Sequence, residues 1–126
     1  MGRVVHFELF AERTAEAVTF YRDVFGWEIQ TWGGPFEYWL VGTGSRESPG
    51  IDGAISPLGV AGEQRVVVTV EVPDLDQTLE QIERAGGKAL TPKAPIPGVG
   101  WQAYATDPSG LVVGLLQPDA AAGTTA

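Results

Sequence analysis

The residues best suited to chemistry lie on two similar apolar stretches about sixty residues apart. The first, V-V-H-F-E-L-F (residues 4–10), carries His6 and Glu8; the second, V-V-V-T-V-E-V (residues 66–72), carries Thr69 and Glu71. Residues two apart share one face of a β-strand, so we expect these four side chains to converge on the inner face of a sheet. An imidazole beside a carboxylate can transfer a proton. A solvated strand face is the alternative, since antiparallel sheets commonly leave one face wet.

The composition limits the classes of function. The chain has 126 residues, eight basic and sixteen acidic side chains, a formal charge of -8 and no cysteine. Its length predicts one domain, and its charge disfavours nucleic acid and membrane surfaces as partners. The missing cysteines exclude disulfides and thiolate metal sites, and no stretch is apolar enough to cross a membrane. We therefore expect a soluble, cytoplasmic protein.

The order of elements repeats, which predicts two copies of a strand, a helix and three strands. The predicted fold class is α+β, with two βαβββ modules forming a curved, half-open mixed sheet with the helices outside. We expect a single domain over residues 1–118, with module one at about 3–58, module two at about 65–117 and a flexible tail at 119–126. The predicted elements are a strand Val4 to Phe10, a helix that Thr14 caps and Gly26 ends, and strands 27–32, 36–41 and 51–58; then a strand 66–72, a helix Asp74 to Ala85, strands 88–91, 101–106 and 111–117, and an irregular proline-rich loop at 92–100. Asp74 and Gln77 have the spacing of a capping box, and Leu75, Leu79 and Ile82 form one apolar stripe of the second helix.

Strand alternation also predicts which side chains face the helices. Val68 and Val70 share an apolar face with Val66 and Val72, and we expect this face to lie under the second helix. The D-P-S-G sequence predicts a tight turn that pairs Thr106 with Leu111 and places Trp101 on the same face as Gly114. A β-bulge would invert that assignment. The predicted ligand-binding residues are His6, Glu8, Trp32, Tyr38, Thr69, Glu71, Trp101 and Gly114.

Several motifs resemble the vicinal oxygen chelate superfamily, which includes glyoxalase I, the bleomycin and fosfomycin resistance proteins and extradiol dioxygenases. They are H-x-E-L on the opening strand, F-Y-R-D-V-F-G-W at the end of the first helix, E-R-A-G-G-K at the end of the second, and D-P-S-G-L-V-V-G-L-L near the end of the chain. The resemblance extends from Val4 to Leu116. It implies the fold much more specifically than it implies a reaction.

In metal-dependent members, each module supplies one ligand from its opening strand and one from its closing strand. The resemblance assigns these positions to His6, Asp52 (within 52–54), Val67 or Val66, and Gly114. Valine and glycine have no donor atom, so we expect no bound metal; if one is present, the resemblance assigns it to His6 and Asp52. Glu8 and Glu71 are further carboxylates outside the family positions.

The sequence leaves three functions open, and with them the question of whether the protein is an enzyme. The preferred hypothesis is a protein that binds or sequesters an aromatic antibiotic or secondary metabolite without a cofactor, by stacking on tryptophans and pairing with Glu8 or Glu71. The second is a metal-dependent lyase, isomerase or dioxygenase. The third is metal-free acid–base catalysis by His6 and Glu8. We expect a small-molecule ligand in each case, and a homodimer that covers exposed aromatic side chains.

Overall fold

The structure is a computed structural model, and it describes residues 2–123. The chain forms two compact units: the first is Val5–Val67, and the second combines residues 2–4 with residues 68–123. The elements are β1 Arg3–Ala11, α1 Thr14–Phe25, β2 Glu28–Thr31, β3 Trp39–Gly42, β4 Asp52–Pro57, β5 Val66–Glu71, α2 Leu75–Arg84, β6 Lys88–Ala89, β7 Ala94–Ile96, β8 Gly100–Thr106 and β9 Val112–Pro118. The predicted α+β class with two βαβββ modules is confirmed, and β7 is an added strand in the second module.

The first unit has the strand order β2-β3-β4-β1. Strand β1 runs parallel to β4, whereas β3 is antiparallel to both β4 and β2. Helix α1 ends at Gly26, which has a left-handed backbone with φ of 70° that favours glycine. The core of the unit consists of Val18 from α1 and of Ile29, Val41 and Ile55 from the sheet. One face of this sheet is therefore covered by α1.

The second unit repeats this arrangement, with strand order β5-β9-β8-β6. Helix α2 begins after Asp74, whose side chain accepts a hydrogen bond from the Gln77 N–H at 3.0 Å, as the capping sequence predicts. The proline-rich stretch before β8, predicted to be an irregular loop, instead forms β7, which pairs with β8. Pro95 lacks an N–H group but is tolerated in a short strand that pairs on one side.

Two expectations about the helices are wrong. Thr14 lies inside α1 and does not cap it; the N-cap is Arg13, and the Thr14 hydroxyl donates to Glu37. Val68 is not covered by α2, because its side chain is 40% exposed, whereas Val70 and Val72 do pack with the α2 side chains. A ten-residue helix is only about 15 Å long, so it covers one end of the strand.

The β8–β9 hairpin also differs from the prediction. Thr106 pairs with Val112, one residue later than expected. The Asp107 N–H bonds to the Leu111 carbonyl at 2.9 Å, which leaves a three-residue loop closed by Gly110 at φ 94°. Because side chains alternate along a strand, this shift of one residue inverts the predicted faces. Trp101 therefore does not share a face with Gly114.

The described part of the predicted flexible tail is held by specific contacts. The Asp119 N–H bonds to the Val99 carbonyl at 3.0 Å, and the Gly98 N–H bonds to the Ala122 carbonyl at 3.1 Å. Ala122 is fully buried. Residues 124–126, which complete the predicted tail, lie outside the described residues. Over residues 2–123, no helix is long and apolar enough to cross a membrane.

Candidate functional site

Strand β1 places His6 and Glu8 on the sheet face opposite α1. Phe7 and Leu9 pack against the core that contains Val18 of α1, and the alternate residues point the other way. Glu8 is only 3% exposed, and His6 is half-buried. A carboxylate so far removed from water needs hydrogen-bond donors, so its partners define the site.

Tyr38 connects these two residues. Its hydroxyl donates to Glu8 Oε2 at 3.1 Å and lies 3.0 Å from His6 Nε2. A phenol has one proton, so when Tyr38 donates to Glu8, His6 Nε2 must donate to the Tyr38 oxygen. In this arrangement the other ring nitrogen, Nδ1, is unprotonated and can accept a proton. The three side chains form one hydrogen-bonded chain, which we call the His6–Tyr38–Glu8 chain.

Burial and the neighbouring carboxylates have opposite effects on the pKa of His6. Burial lowers the pKa of His6 from its usual value, while the Glu8 carboxylate and, to a smaller extent, the Asp52 carboxylate raise it; burial has the larger effect. Asp52 is the register partner of His6 on the parallel strand β4, and its Oδ1 accepts from the Thr43 N–H at 2.9 Å. The imidazole is therefore neutral at neutral pH, with two carboxylates near enough to stabilise a positive charge that forms on it.

An aromatic group lies next to the His6–Tyr38–Glu8 chain. It consists of Trp32, Phe36 and Tyr38. The Trp32 and Phe36 ring centroids are 4.8 Å apart, and each ring lies about 6 Å from Tyr38, at 5.9 Å and 6.1 Å. The indole N–H of Trp32 donates to the Phe36 carbonyl at 2.8 Å. Gly34 permits this arrangement, because a Cβ there would overlap the indole. Phe36 is 60% exposed, so this group offers a ring surface to solvent.

The second unit contains the remaining predicted residues. Thr69 pairs with Gly114 across β5 and β9, and Glu71 pairs with Leu116. Thr69 is 3% exposed, and among the described residues its hydroxyl has no hydrogen-bond partner. A Cβ at Gly114 would lie 2.8 Å from that hydroxyl oxygen, so the position does not accommodate a side chain without movement.

Trp101 lies apart from these residues. It packs against the α2-side core of the second unit, its indole N–H donates to Asp119 Oδ2 at 3.0 Å, and Lys93 Nζ lies 4.9 Å from the ring centroid. The structure thus brings His6, Glu8, Trp32 and Tyr38 together in the first unit, and Thr69, Glu71 and Gly114 together in the second. Within the second unit, Trp101 lies on the face of the β8–β9 hairpin opposite to that of Gly114.

The sequence analysis did not identify two features of this site. One is the role of Tyr38 as the link between His6 and Glu8; the other is Phe36, the most exposed of the three rings. The sequence contains a signal for the second, because the aromatic residues of W-G-G-P-F-E-Y flank a Gly-Gly-Pro turn that folds the chain back on itself. No local signal indicates the first, since Tyr38 reaches His6 across 32 residues.

The donor atoms at the four metal-ligand positions implied by the family resemblance do not fit a metal site. His6 and Asp52 are register partners and could each supply one donor, but Val67 is an alkyl side chain that is 1% exposed, and Gly114 has no side chain. Transition-metal sites in proteins normally have three or more protein ligands. Over residues 2–123, no three His, Cys, Asp or Glu residues form a group that could hold a metal ion.

Comparison with known proteins agrees with the fold. A crystal structure of a superfamily member from Vibrio splendidus has a TM-score of 0.65 at 17% identity, covering 94% of this chain and 100% of that chain. Methylmalonyl-CoA epimerase from Mycobacterium tuberculosis has a TM-score of 0.65 at 13% identity, covering 92% and 87%. A variant of the Streptomyces coelicolor epimerase, bound to 2-nitronate-propionyl-CoA, has a TM-score of 0.66 at 17% identity, covering 94% and 98%.

These identities establish a shared fold and nothing further. A comparison with curated protein sequences gave no match. The family model described as Glyoxalase/Bleomycin resistance protein/Dioxygenase superfamily matches residues 3–115. This match covers nearly all of the chain, including both βαβββ modules and the strand that carries His6 and Glu8. The chain therefore belongs to the glyoxalase/bleomycin resistance protein/dioxygenase superfamily.

Proposed function

We propose that this protein binds a planar, neutral or cationic small molecule beside His6, Glu8 and Tyr38, and that binding requires no metal. The observation that carries the proposal is the aromatic group of Trp32, Phe36 and Tyr38. Its Phe36 ring is 60% exposed and lies 6.1 Å from the ring of Tyr38, whose hydroxyl donates to the buried Glu8 carboxylate. A flat ring can stack on Phe36 while a polar substituent reaches the hydrogen-bonded chain. An aromatic antibiotic or secondary metabolite has this combination of groups.

The charges around the site favour cations over anions. Glu8 and Asp52 both act on His6 electrostatically, and the whole chain carries a formal charge of -8. A phosphorylated ligand would approach a field of its own sign, whereas a cationic ring gains both attraction and stacking. Thr69, Glu71 and Gly114 stay a separate prediction, as ligand-binding residues within the second unit. Trp101 is removed from the set because its indole N–H and ring face already bind Asp119 and Lys93.

A ligand panel with two matched variants tests this proposal. Calorimetric titrations would compare planar neutral and cationic antibiotics and dyes with phosphorylated compounds, including methylmalonyl-CoA, all in EDTA. For the best cationic ligand we expect Phe36→Ser to raise Kd about fivefold to tenfold, since one aromatic contact is worth about 1 kcal/mol. Val99→Ser, which changes another half-exposed apolar side chain, is the control and should leave Kd unchanged. Tighter binding of the phosphorylated compounds would refute the proposal.

A second candidate, metal-free acid–base catalysis, is favoured by the His6–Tyr38–Glu8 chain. With the Tyr38 proton directed at Glu8, His6 Nδ1 is the basic nitrogen and can remove a proton from a carbon acid. The positive charge that then forms on the imidazole is stabilised by the Glu8 and Asp52 carboxylates, which act in the direction of raising the pKa of His6. Tyr38 holds the ring in the orientation that leaves Nδ1 available.

Solvent exchange separates catalysis from binding alone. A 1,3-diketone incubated with the protein in D2O and EDTA should incorporate deuterium faster than without protein, and His6→Gln should abolish the acceleration. If the rate with protein equals the background rate, the acid–base candidate is excluded and the binding proposal stands. Acceleration that appears only after a divalent metal is added would instead support the metal-dependent alternative.

Location and assembly are part of the same proposal. We place the protein in the cytoplasm as a homodimer, because a chain without cysteine is compatible with a reducing compartment and helix α1 exposes aromatic side chains.

A further inference from the structure

The aromatic group of Trp32, Phe36 and Tyr38 presents ring planes in several directions. The Tyr38 plane is inclined by 69° to that of Trp32 and by 80° to that of Phe36, and the Trp32 and Phe36 planes are inclined by 43° to each other. A flat ligand ring stacks on only one plane. A compact, nearly spherical group can contact two inclined planes at once, so this arrangement favours such a group.

Hydrogen bonds make two of these rings more attractive to a cation. The Trp32 indole N–H donates to the Phe36 carbonyl at 2.8 Å, and the Tyr38 hydroxyl donates to Glu8 Oε2 at 3.1 Å. A donor held by an acceptor becomes polarised, which leaves more negative charge on its ring, and the negative ring face is what attracts a cation. The His6 N–H acts on the Tyr38 oxygen in the opposite sense, but it is neutral, whereas Glu8 carries a charge.

The segment that carries these rings supplies no cation of its own. Residues 23–45 contain three carboxylates and no lysine or arginine. In the second unit, by contrast, Lys93 Nζ lies 4.9 Å from the Trp101 ring centroid, so this chain does place a cation against a ring face elsewhere. Because Phe36 is 60% exposed, a positive group of a ligand can reach the aromatic group from solvent.

We propose that the cationic group bound by Trp32, Phe36 and Tyr38 is a methylated quaternary ammonium. This inference rests on the proposed function, since it names the cationic substituent of the ligand bound there. A quaternary ammonium has no N–H and needs no hydrogen-bond acceptor, so ring faces alone can hold it. Glu8 is 3% exposed and already accepts from Tyr38, so its charge attracts the cation without forming an ion pair with it.

Choline and two analogues separate the contributions of charge and shape. The tert-butyl analogue has the same shape without the charge, and ethanolamine has the charge but carries N–H donors in place of the methyl groups. In EDTA at fixed ionic strength, the shift of the Trp32 indole N–H signal should give choline a Kd at least about tenfold lower than either analogue. If the tert-butyl analogue binds as tightly, the contact is only apolar. If ethanolamine binds as tightly, an ion pair holds the cation. Either result would overturn the inference.

A matched pair of variants tests whether a ring face holds the cation. Phe36→Leu keeps an apolar side chain and removes one face, so it should raise the Kd of choline about fivefold and leave that of the tert-butyl analogue within about twofold. Phe20→Leu is the control, because Phe20 is a 53% exposed ring on α1 outside the aromatic group, and it should change neither Kd. Equal weakening of both ligands by Phe36→Leu, or no change for choline, would refute cation binding by the ring. Circular dichroism checks that both variants are folded.

The planar neutral compounds of the ligand panel separate this inference from the proposed function. If they shift the Trp32 signal and choline does not, the ammonium inference fails and the planar ligand stands. If choline binds as expected and no planar compound binds, the planar ligand fails and the ammonium inference stands. If neither class shifts the Trp32 signal, both are wrong.

Discussion

The Tyr38 hydroxyl oxygen lies 3.0 Å from His6 Nε2 and donates to Glu8 Oε2 at 3.1 Å. This contact joins the only histidine of the chain to a carboxylate that is 3% exposed. It also fixes which ring nitrogen of His6 is available to a ligand. The protonation state of the site therefore depends on a residue 32 positions away from His6 along the chain.

Removing the Tyr38 hydroxyl should destabilise the fold. Tyr38→Phe keeps the ring but takes one donor from the buried Glu8 carboxylate, which costs about 1–3 kcal/mol of the free energy of unfolding. Tyr21→Phe is the control, because the Tyr21 ring stacks on Trp27 at 4.9 Å and that contact survives the substitution. Urea denaturation measures both variants. Equal stability of the two would show that the Tyr38–Glu8 bond contributes nothing.

The lowered pKa of His6 should make the stability of the protein depend on pH. Burial lowers the pKa of His6 below 6.5, so the unfolded chain takes up its proton first as the pH falls. The free energy of unfolding should consequently decrease as the pH falls from about 6.5 through the native pKa, and His6→Gln should remove this component. Proton NMR of the single histidine gives the native pKa directly. A value above 6.5 would contradict the dominance of burial.

Variants of Glu8 and Asp52 test how these two carboxylates affect the pKa of His6. Glu8→Gln and Asp52→Asn each remove a negative charge that raises the pKa of His6, so both should lower it further. Glu8→Gln should have the larger effect, since Glu8 acts more strongly than Asp52. If either variant raises the pKa of His6, the electrostatic account of the site is wrong.

Gly114 and Thr69 should be energetically coupled. A Cβ at position 114 would lie 2.8 Å from Thr69 Oγ1, so Gly114→Ala should destabilise the protein by about 1–3 kcal/mol. Thr69→Ala removes a buried hydroxyl without a partner among the described residues, so its own effect should be small. In the Thr69→Ala background the cost of Gly114→Ala should largely disappear. Additive costs in this double-mutant cycle would contradict the close approach.

Local patterns predicted much of this fold. Alternation placed Phe7 and Leu9 in the core and His6 and Glu8 on the opposite face, because one buried face fixes the orientation of a strand. The Asp74 cap and the Leu75, Leu79 and Ile82 stripe predicted α2 closely. These signals are contained within a few residues of the elements that they describe.

The errors arose where the outcome depends on tertiary contacts. The position of Trp101 was wrong because Gly110 adopts a left-handed backbone and adds one residue to the hairpin loop, a choice that the D-P-S-G sequence does not determine. The link from Tyr38 to His6 requires the register of β1, β4 and β3 together. The exposure of Val68 could not be predicted without knowing how far α2 extends along β5.

Purified protein should contain well below one equivalent of any transition metal. Val67 and Gly114 supply no donor atom at two of the four positions where the superfamily places its ligands. Elemental analysis of protein prepared without chelators measures this content. Near-stoichiometric zinc, nickel, manganese or iron that survives dialysis and is lost in His6→Ala would show that His6 belongs to a metal site.

The most direct test of the account is NMR of the tightest aromatic ligand bound to the protein in EDTA. The single imidazole and the four indole N–H groups give separate signals. The account predicts that the ligand shifts the His6 and Trp32 signals, leaves the Trp101 indole signal in place, and binds equally well with and without EDTA. Unchanged His6 and Trp32 signals in a saturated complex, or binding that disappears in EDTA, would contradict it.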